Sequence, residues 1–577
     1  MTRIGFLALG VVWLLLGAAS PATAADDVVV YTAKRIVTMA PSQPQATAVA
    51  VRDGLILSVG SEASLAPWLE GRPHRIDRSF EDAVLLPGLI DNHLHPLMAA
   101  LLLPMVFITP EPWDLPTGHV AGVEGRAAYL ARLRAAEAAA PPGAWLDTWG
   151  HHPLFHGAIT RADLDAISTE RPIVVWHRSF HESVLNTKAL ALAGLTEERV
   201  GAHPQVDFAN GHFYENGNAL PLRAMSARLF APERLARGLA LLRALVHEGG
   251  ITTVADMATG LMTASIEGDT ALLVGGLSGD DVPFRTWLVP APAMLRRFEQ
   301  GGVPAVRAAM EALPPTGSHR VRHLRGHVKL LADGAFFSQL MQMAPPGYID
   351  GHHGEWLMPP AVLEEVAREF WRADYTIHVH ANGDAGVGAT LDVLARLQRE
   401  TPRPDHRFTL HHFGFSTPEQ VDRIAALGAL VSANPNYVYV LADRYGTHGL
   451  GHDRASQMVR LGSLRRAGVP VSLHSDLTMA PARPLFLAWV AAWRESMNGV
   501  VHAPEERLSP RDAIAAVTID AARPLGLEAE IGSIRAGKRA DFTVVDRDPL
   551  STLVAEWPAI RVLATVFEGR PAPVGGR

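Results

Sequence analysis

Five short stretches of the chain end an apolar run on a residue that can hold a metal ion. Ile90-Asp91-Asn92-His93-Leu94-His95 sets two imidazoles two residues apart, which places both on one face of a strand. His327-Val328-Lys329 leads into Ala332-Asp333-Gly334, and Ile377-His378-Val379-His380 leads into Ala381-Asn382-Gly383-Asp384. Leu410-His411-His412 and Ser472-Leu473-His474-Ser475-Asp476 complete the series. Histidines and an aspartate that converge are hard-to-borderline donors, and zinc is the first ion they suit. A lone strand histidine is more often a hydrogen-bonded core residue than a ligand, so the weight rests on the series.

The spacings say what must position these groups. A (β/α)8 barrel averages about 31 residues per unit. His380 to His412 is 32 residues, His412 to Asp476 is 64, and Lys329 to His380 is 51. If His95 closes strand 1, the others fall on strands 4, 5, 6 and 8, whose C-terminal ends meet around one site. His95 to Lys329 is 234 residues, more than three units need, so an insertion is expected at about 105–245.

The rest of the middle supports an α/β fold. Strand-like runs at Gly250–Ala255, His327–Leu331, Thr376–His380, Phe408–His412 and Val471–His474 alternate with helical spacing over 361–372, 389–400 and 418–427. Residues 121–140 read as an exposed helix. The two ends are β. Val28–Tyr31, Ile36–Thr38, Ala48–Val51 and Leu55–Val59 carry an Asp53-Gly54 hairpin signal, and Ala540–Val545 and Val562–Phe567 answer them at the other end. Segments 26–85 and 526–577 are expected to complete one β-sandwich around a barrel over 86–525.

Composition removes several alternatives. With 577 residues, 48% hydrophobic and 19% charged, the chain is neither disordered nor a coiled coil. A net charge of −7 gives no footprint for nucleic acid. Zero cysteines exclude disulfides, thiolate metal sites and cysteine nucleophiles. Of 52 basic residues only Lys34, Lys188, Lys329 and Lys538 are lysine. An arginine bias explains that scarcity at any single position, but a retained amine is worth noting where it joins the metal-binding series.

Residues 1–25 read as a signal peptide: Arg3, an apolar stretch from Gly5 to Ala19, then Ser20-Pro21-Ala22-Thr23-Ala24. Cleavage is expected after Ala24 or Ala25, giving an exported protein in the periplasm or the medium. The apolar run from Leu97 to Phe107 is interrupted by Pro104 and reads as buried or pocket-lining, not as a membrane span.

Leu86-Pro87-Gly88-Leu89-Ile90-Asp91-Asn92-His93-Leu94-His95 resembles the strand-1 signature of the amidohydrolase superfamily. Gly532-Ser533-Ile534-Arg535-Ala536-Gly537-Lys538-Arg539-Ala540-Asp541-Phe542 resembles its C-terminal β-sandwich signature. Lys329 with Asp333-Gly334, His380 to Asp384, Ser475-Asp476, and Arg178 to Leu190 resemble the amidohydrolase 3, or YtcJ-like, branch. The resemblance implies a composite β-sandwich on a metal-bearing barrel. It implies that His93 and His95 hold one metal and His380 with His412 the other. Lys329 matches the lysine that is carboxylated and bridges the metals in binuclear members, and Asp476 matches the strand-8 aspartate. Only an amine with a depressed pKa can add carbon dioxide and become an anionic bridge, which a guanidinium cannot do. Two positions depart from the pattern: His411 stands where Glu is frequent, and His474 where Gly is usual.

The chemistry expected is metal-assisted hydrolysis of a carbon–nitrogen bond other than a peptide bond. A divalent metal lowers the pKa of bound water to about 7. Asp476 takes the water proton and hands it to the leaving nitrogen, and His181 or His474 steadies the oxyanion. The cofactor is one or two zinc ions and the partner a small molecule, with no nucleic acid and no membrane span in the mature chain. The chain is free to form a homo-oligomer. Competing readings are the same site acting on an ester, lactone or phosphotriester, and a non-catalytic exported metal-binding protein. A carboxylate glycosidase using pairs among Asp333, Asp384 and Asp476 leaves the histidines unexplained. Trp113, Trp145, Trp149 and Trp176 in the insertion are expected to cap an apolar pocket.

Overall fold

The computed structural model describes residues 28–292 and 296–575, so the leader expected over 1–25 lies outside the described residues. Two parallel sheets carry the chemistry-bearing strand ends. In the first, Leu89–Leu94 pairs with Ile251–Thr259, which pairs with Arg285–Pro290, which pairs with Val321–His323. The second runs in chain order through His327–Leu331, Thr376–Ala381, Thr409–His412, Leu430–Ala433 and Val471–Leu473. Ile251–Thr259 is buried along its whole length, as a parallel strand covered on both faces must be. The fold is α/β, and the strand and helix runs read from the sequence appear with ends moved by a few residues.

The connecting helices form for local reasons. Pro360–Arg372 buries Leu363, Val366, Ala367, Phe370 and Trp371, the stripe that a 3.6-residue period predicts. Pro418–Leu427 begins with a capping box between Thr417 and Gln420, has Pro at its first position, and stops at Gly428 in the left-handed region. Both ends of this helix are therefore fixed, which sets where the strand Thr409–His412 stops and the next begins.

The excess residues after His95 build a separate six-stranded sheet. Its spatial order is Val206–Asp207, His212–Tyr214, Glu182–Leu185, Ile173–His177, Leu146–His151 and Val106–Phe107. The tryptophans assigned to a cap are instead core. Trp113, Trp149 and Trp176 are at most 2% exposed, and none of them lines the cavity described below. The Arg178 guanidinium lies over Trp113 and Trp149, 5.2 and 4.6 Å from the ring centroids. Trp145, also away from the cavity, packs under Arg228. Indoles stacked on buried cations favour the insertion's own interior over its rim. The helix expected at 121–140 spans Arg126–Ala139 and buries Tyr129, Leu130 and Leu133.

Both chain ends join one seven-stranded sheet. Its order is Arg570–Pro573, Val562–Phe567, Phe542–Val545, His74–Pro87, Val28–Val37, Gln45–Arg52 and Leu55–Gly60. The hydrogen bonding joins strands of both terminal segments in one continuous sheet, with register shifts in the pairings of Val28–Val37. Asp53 and Gly54 turn the hairpin with φ of 52° and 75°, the left-handed pair that a two-residue loop needs. The sheet is tied to the parallel strands by Thr543, whose Oγ1 accepts from Leu89 N at 3.0 Å and donates to Gly250 O at 2.7 Å.

A buried charge network makes the same joint. Arg285, from the third strand of the first parallel sheet, donates to both Asp541 oxygens at 2.5 and 3.2 Å and to Glu568 at 3.3 Å. Removing one partner of a buried pair leaves the other charge unpaired, which costs about 3–5 kcal/mol. Arg285→Ala is therefore expected to destabilise the protein by about that amount in denaturant unfolding. A loss below about 1 kcal/mol would show that water replaces the guanidinium there.

Candidate metal centre

The strand Leu89–Leu94 ends because Pro96 opens the helix Pro96–Leu102, leaving His95 at its N-cap. His93 is fully buried. Asp91 braces the next strand end: Ser475 N donates to its Oδ1 at 3.2 Å and the Ser475 hydroxyl to its Oδ2. Burial pushes the Asp91 carboxyl up to about 7.

Asp476 sits at the centre. Its φ is 52°, and its N–H donates to His93 O at 2.9 Å, which joins the last parallel strand to the first. Its carboxylate lies 3.1 Å from His95 Nε2, 3.6 Å from His93 Nε2 and 3.5 Å from His412 Nδ1. His412 and Phe413 are also left-handed, at φ 72° and 51°. Such residues cost of order 1–3 kcal/mol each and persist where the surroundings over-determine them, typically at functional sites.

Lys329 lies beneath this group. Its Nζ is buried and has no hydrogen-bond partner, and burial pushes the amine down to about 7. Lys329 forms no salt bridge with the nearby-in-sequence Asp333. Asp333 accepts from the backbone N–H groups of Asn382, Gly383 and Gln342, each at 2.9 Å. A Cβ at Gly386 would stand 2.5 Å from Asp333 Cγ, so glycine is required for that carboxyl to sit there. Asp384 likewise accepts from Ala344 N at 2.8 Å. Neither aspartate lines the cavity, so the paired carboxylates of a glycosidase are not assembled.

His380 and His412 face each other with ring centroids 4.2 Å apart. Asn382 Nδ2 lies 2.8 Å from His380 Nε2 and orients the ring. His93 Nε2, His95 Nδ1 and His412 Nε2 are buried without a hydrogen-bond partner. Buried donors and acceptors left unpaired call for an explanation, and a cation supplies one. Among the described residues, two groups have ligand atoms within 4.8 Å of one another: His93, His95 and Asp476, and His93, His412 and His474. The donor set therefore fits a divalent ion. Burial works against charge on His95, but the carboxylates of Asp256 and Asp476 push it up to about 9.

The oxyanion role offered for His474 is corrected. His474 is fully buried, stacks on His93 at 4.5 Å, and is held through Nδ1 by Ser432 Oγ at 2.9 Å. It does not line the cavity. His181 does. Its Nδ1 is 2.7 Å from Glu215 Oε2, and its ring centroid is 6.4 Å from that of His380. His151 and His152 close the strand Leu146–His151 and cap a short helix.

Two site residues were missed from sequence. Asp256 lies 3.8 Å from His95 Nδ1 and ends the apolar run that begins at Gly250, so the strand-end rule extended to that run would have found it. Glu215 comes from the insertion at φ 45°, and no local pattern marks it.

The metal-binding end opens into a cavity of about 820 Å³. Met98, Leu222, Phe230, Met257, Leu261 and Met262 line much of it. Burial lowers the His181 pKa, but the buried Glu215 carboxylate outweighs it and holds the imidazolium above the usual histidine range. A proton donor at His181 thus stays charged to higher pH than a free imidazole. Glu215→Gln is expected to move the alkaline limb of a pH–kcat profile to lower pH, and an unmoved limb would remove His181 from proton donation.

A profile of the amidohydrolase family matches residues 80–573. The chain is similar to N-substituted formamide deformylase of Arthrobacter pascens, 26% identical over 91% of this chain and 94% of that protein. Among solved structures it is similar to an uncharacterized metal-dependent hydrolase from Pyrococcus horikoshii OT3, with a TM-score of 0.67 and 19% identity over 92% of this chain and 99% of that one. It is also similar to an adenosine deaminase from Xanthomonas campestris with bound zinc, with a TM-score of 0.51 and 17% identity over 95% and 93% of the two chains.

Proposed function

The chain belongs to the amidohydrolase family, and from that premise we propose that it is an exported, metal-dependent enzyme that cleaves a non-peptide amide-type carbon–nitrogen bond in a small molecule. The observation that carries this is the group of unpartnered buried nitrogens, His93 Nε2, His95 Nδ1, His412 Nε2 and Lys329 Nζ, gathered about Asp476 at the end of an apolar cavity.

In this reading the strands of the two parallel sheets close into a (β/α)8 barrel over 86–525, with the insertion at about 105–245. The terminal sheet acts as the composite sandwich of segments 26–85 and 526–577. His93 and His95 would hold one divalent ion and His380 and His412 the other, with a carboxylated Lys329 and Asp476 as further oxygen donors. Nitrogen-rich sites with carboxylate oxygens favour zinc. When bound, the metal polarises the scissile carbonyl and lowers the pKa of water to about 7.

The chain's own groups do the rest. Asp476, within 3.1–3.6 Å of three imidazoles, takes a proton from water and returns it to the leaving nitrogen. His181, charged by Glu215, faces the cavity and donates to the developing oxyanion or the leaving group. The methionine- and leucine-rich wall receives an apolar substituent on the amide and excludes water from it.

The test is a panel of amides, including N-substituted formamides, beside esters, lactones and phosphotriesters, run on metal-replete and chelator-treated enzyme. The reading expects amide turnover that is lost on chelation and restored by zinc. Turnover of esters alone would reassign the bond, and turnover that survives chelation would sink the mechanism. Export is tested by sequencing the N-terminus of the mature protein, expected to begin at residue 25 or 26. Among the described residues no helix is long and apolar enough to cross a membrane.

A further inference from the structure

The departure at position 411 belongs to a longer arrangement. His93 Nδ1 is 2.8 Å from His411 Nδ1, His411 Nε2 is 2.9 Å from His378 Nδ1, and His378 Nε2 is 3.0 Å from His327 Nδ1. Four imidazoles on four strands thus form a single file from the metal-binding end to the first residue of His327–Leu331. His93, His378 and His411 are fully buried, and His327 is 8% exposed. A buried imidazole whose neighbours in the file are other imidazoles is disfavoured as a cation, so the file consists of neutral rings.

A neutral imidazole has one N–H and one lone pair. Three ring-to-ring hydrogen bonds among four such rings allow only two complete proton orders. In one, every N–H points away from the metal-binding end: His93 Nδ1–H to His411 Nδ1, His411 Nε2–H to His378 Nδ1, and His378 Nε2–H to His327 Nδ1. In the other, every N–H points inward, and His93 Nε2 carries a proton where an ion would need its lone pair. Metal binding and the inward order exclude each other. A carboxylate at position 411 would end the file at its first link, whereas an imidazole passes the constraint on.

We infer that His411 and His378 are positioning residues that, with His327, form an imidazole file whose proton order is set by a metal on His93 Nε2 and is expressed at the opposite end of the strand. This rests on His93 being a ligand, as proposed above. His411 holds His93 in the binding tautomer, and truncating such a partner typically weakens metal binding about 10–100-fold.

The experiment uses the full chain labelled with 15N in the histidine rings, apo and zinc-loaded, with zinc content measured on the same samples. His327 is assigned by the signals lost in His327→Asn. Zinc is expected to fix His327 with Nε2 protonated and Nδ1 unprotonated. In His411→Phe that response at His327 is expected to vanish, although zinc still binds about 10–100-fold more weakly. His378→Phe interrupts the file without touching His93. It should also silence His327, and it serves if His411→Phe does not fold. A zinc-loaded wild type whose His327 nitrogens do not change, or a response that survives both interruptions, would overturn the file while leaving the metal centre in place. Failure of the wild type to take up zinc at all would overturn both.

Discussion

Lys329→Ala is expected to bring bound zinc from about two ions per chain to one or fewer, and to lower kcat/KM for the best amide by at least about 10³-fold. The metal stoichiometry follows from the site: Lys329 Nζ is buried and unpartnered, and burial pushes the amine down to about 7, toward the neutral form that can add carbon dioxide and present two oxygens. The rate follows from losing one metal's share of carbonyl polarisation, several kcal/mol, at 1.36 kcal/mol per tenfold. Lys329→Arg should fail equally, since a guanidinium cannot be carboxylated and a fixed charge would repel the ions. Plasma mass spectrometry on protein purified without chelators decides the first part and steady-state kinetics the second. Equal zinc in variant and wild type would make Lys329 a structural amine.

Asp476→Asn is expected to reduce kcat by about 10²–10⁴-fold, the contribution of one positioned acid–base group, with KM within a few-fold of wild type. The amide matches the carboxylate in shape and can still receive the histidines around it, but it cannot hold the water proton between attack and departure of the nitrogen. Zinc content separates this from a ligand defect: a variant that keeps both ions yet loses turnover assigns the proton role. A variant retaining more than a tenth of wild-type kcat would move that role elsewhere, with His181 the next group in reach of the cavity.

Much of the site was readable because strand ends advertise themselves. An apolar run that stops on His or Asp carries its side chain to the edge of a sheet, and His93, His95, Lys329, His380, His412 and Asp476 all surround the same end of one cavity. What was not readable depends on contacts between distant segments. Glu215 reaches His181 only because the insertion folds back over the strand ends, and nothing near residue 215 encodes that. The tryptophans misled for the same reason: an indole in an insertion is as apt to fill that insertion's core as to line a pocket, and the nearby Arg178 tipped the balance. His474 carries the strand-end signature like the others, but its Nδ1 is occupied by Ser432, a partner 42 residues away.

The terminal sheet has a consequence for how the protein comes into being. Leu89, which opens the strand bearing His93, is hydrogen-bonded to Thr543, 454 residues later, and His74–Pro87 just before it pairs with Phe542–Val545. During synthesis the strand bearing His93 therefore waits until residues 542–545 have left the ribosome. Contacts so remote in sequence form slowly, because a long loop must close before they repay its entropy. Nascent chains stalled before residue 542 should remain unable to hold zinc, however many of the histidines have already emerged.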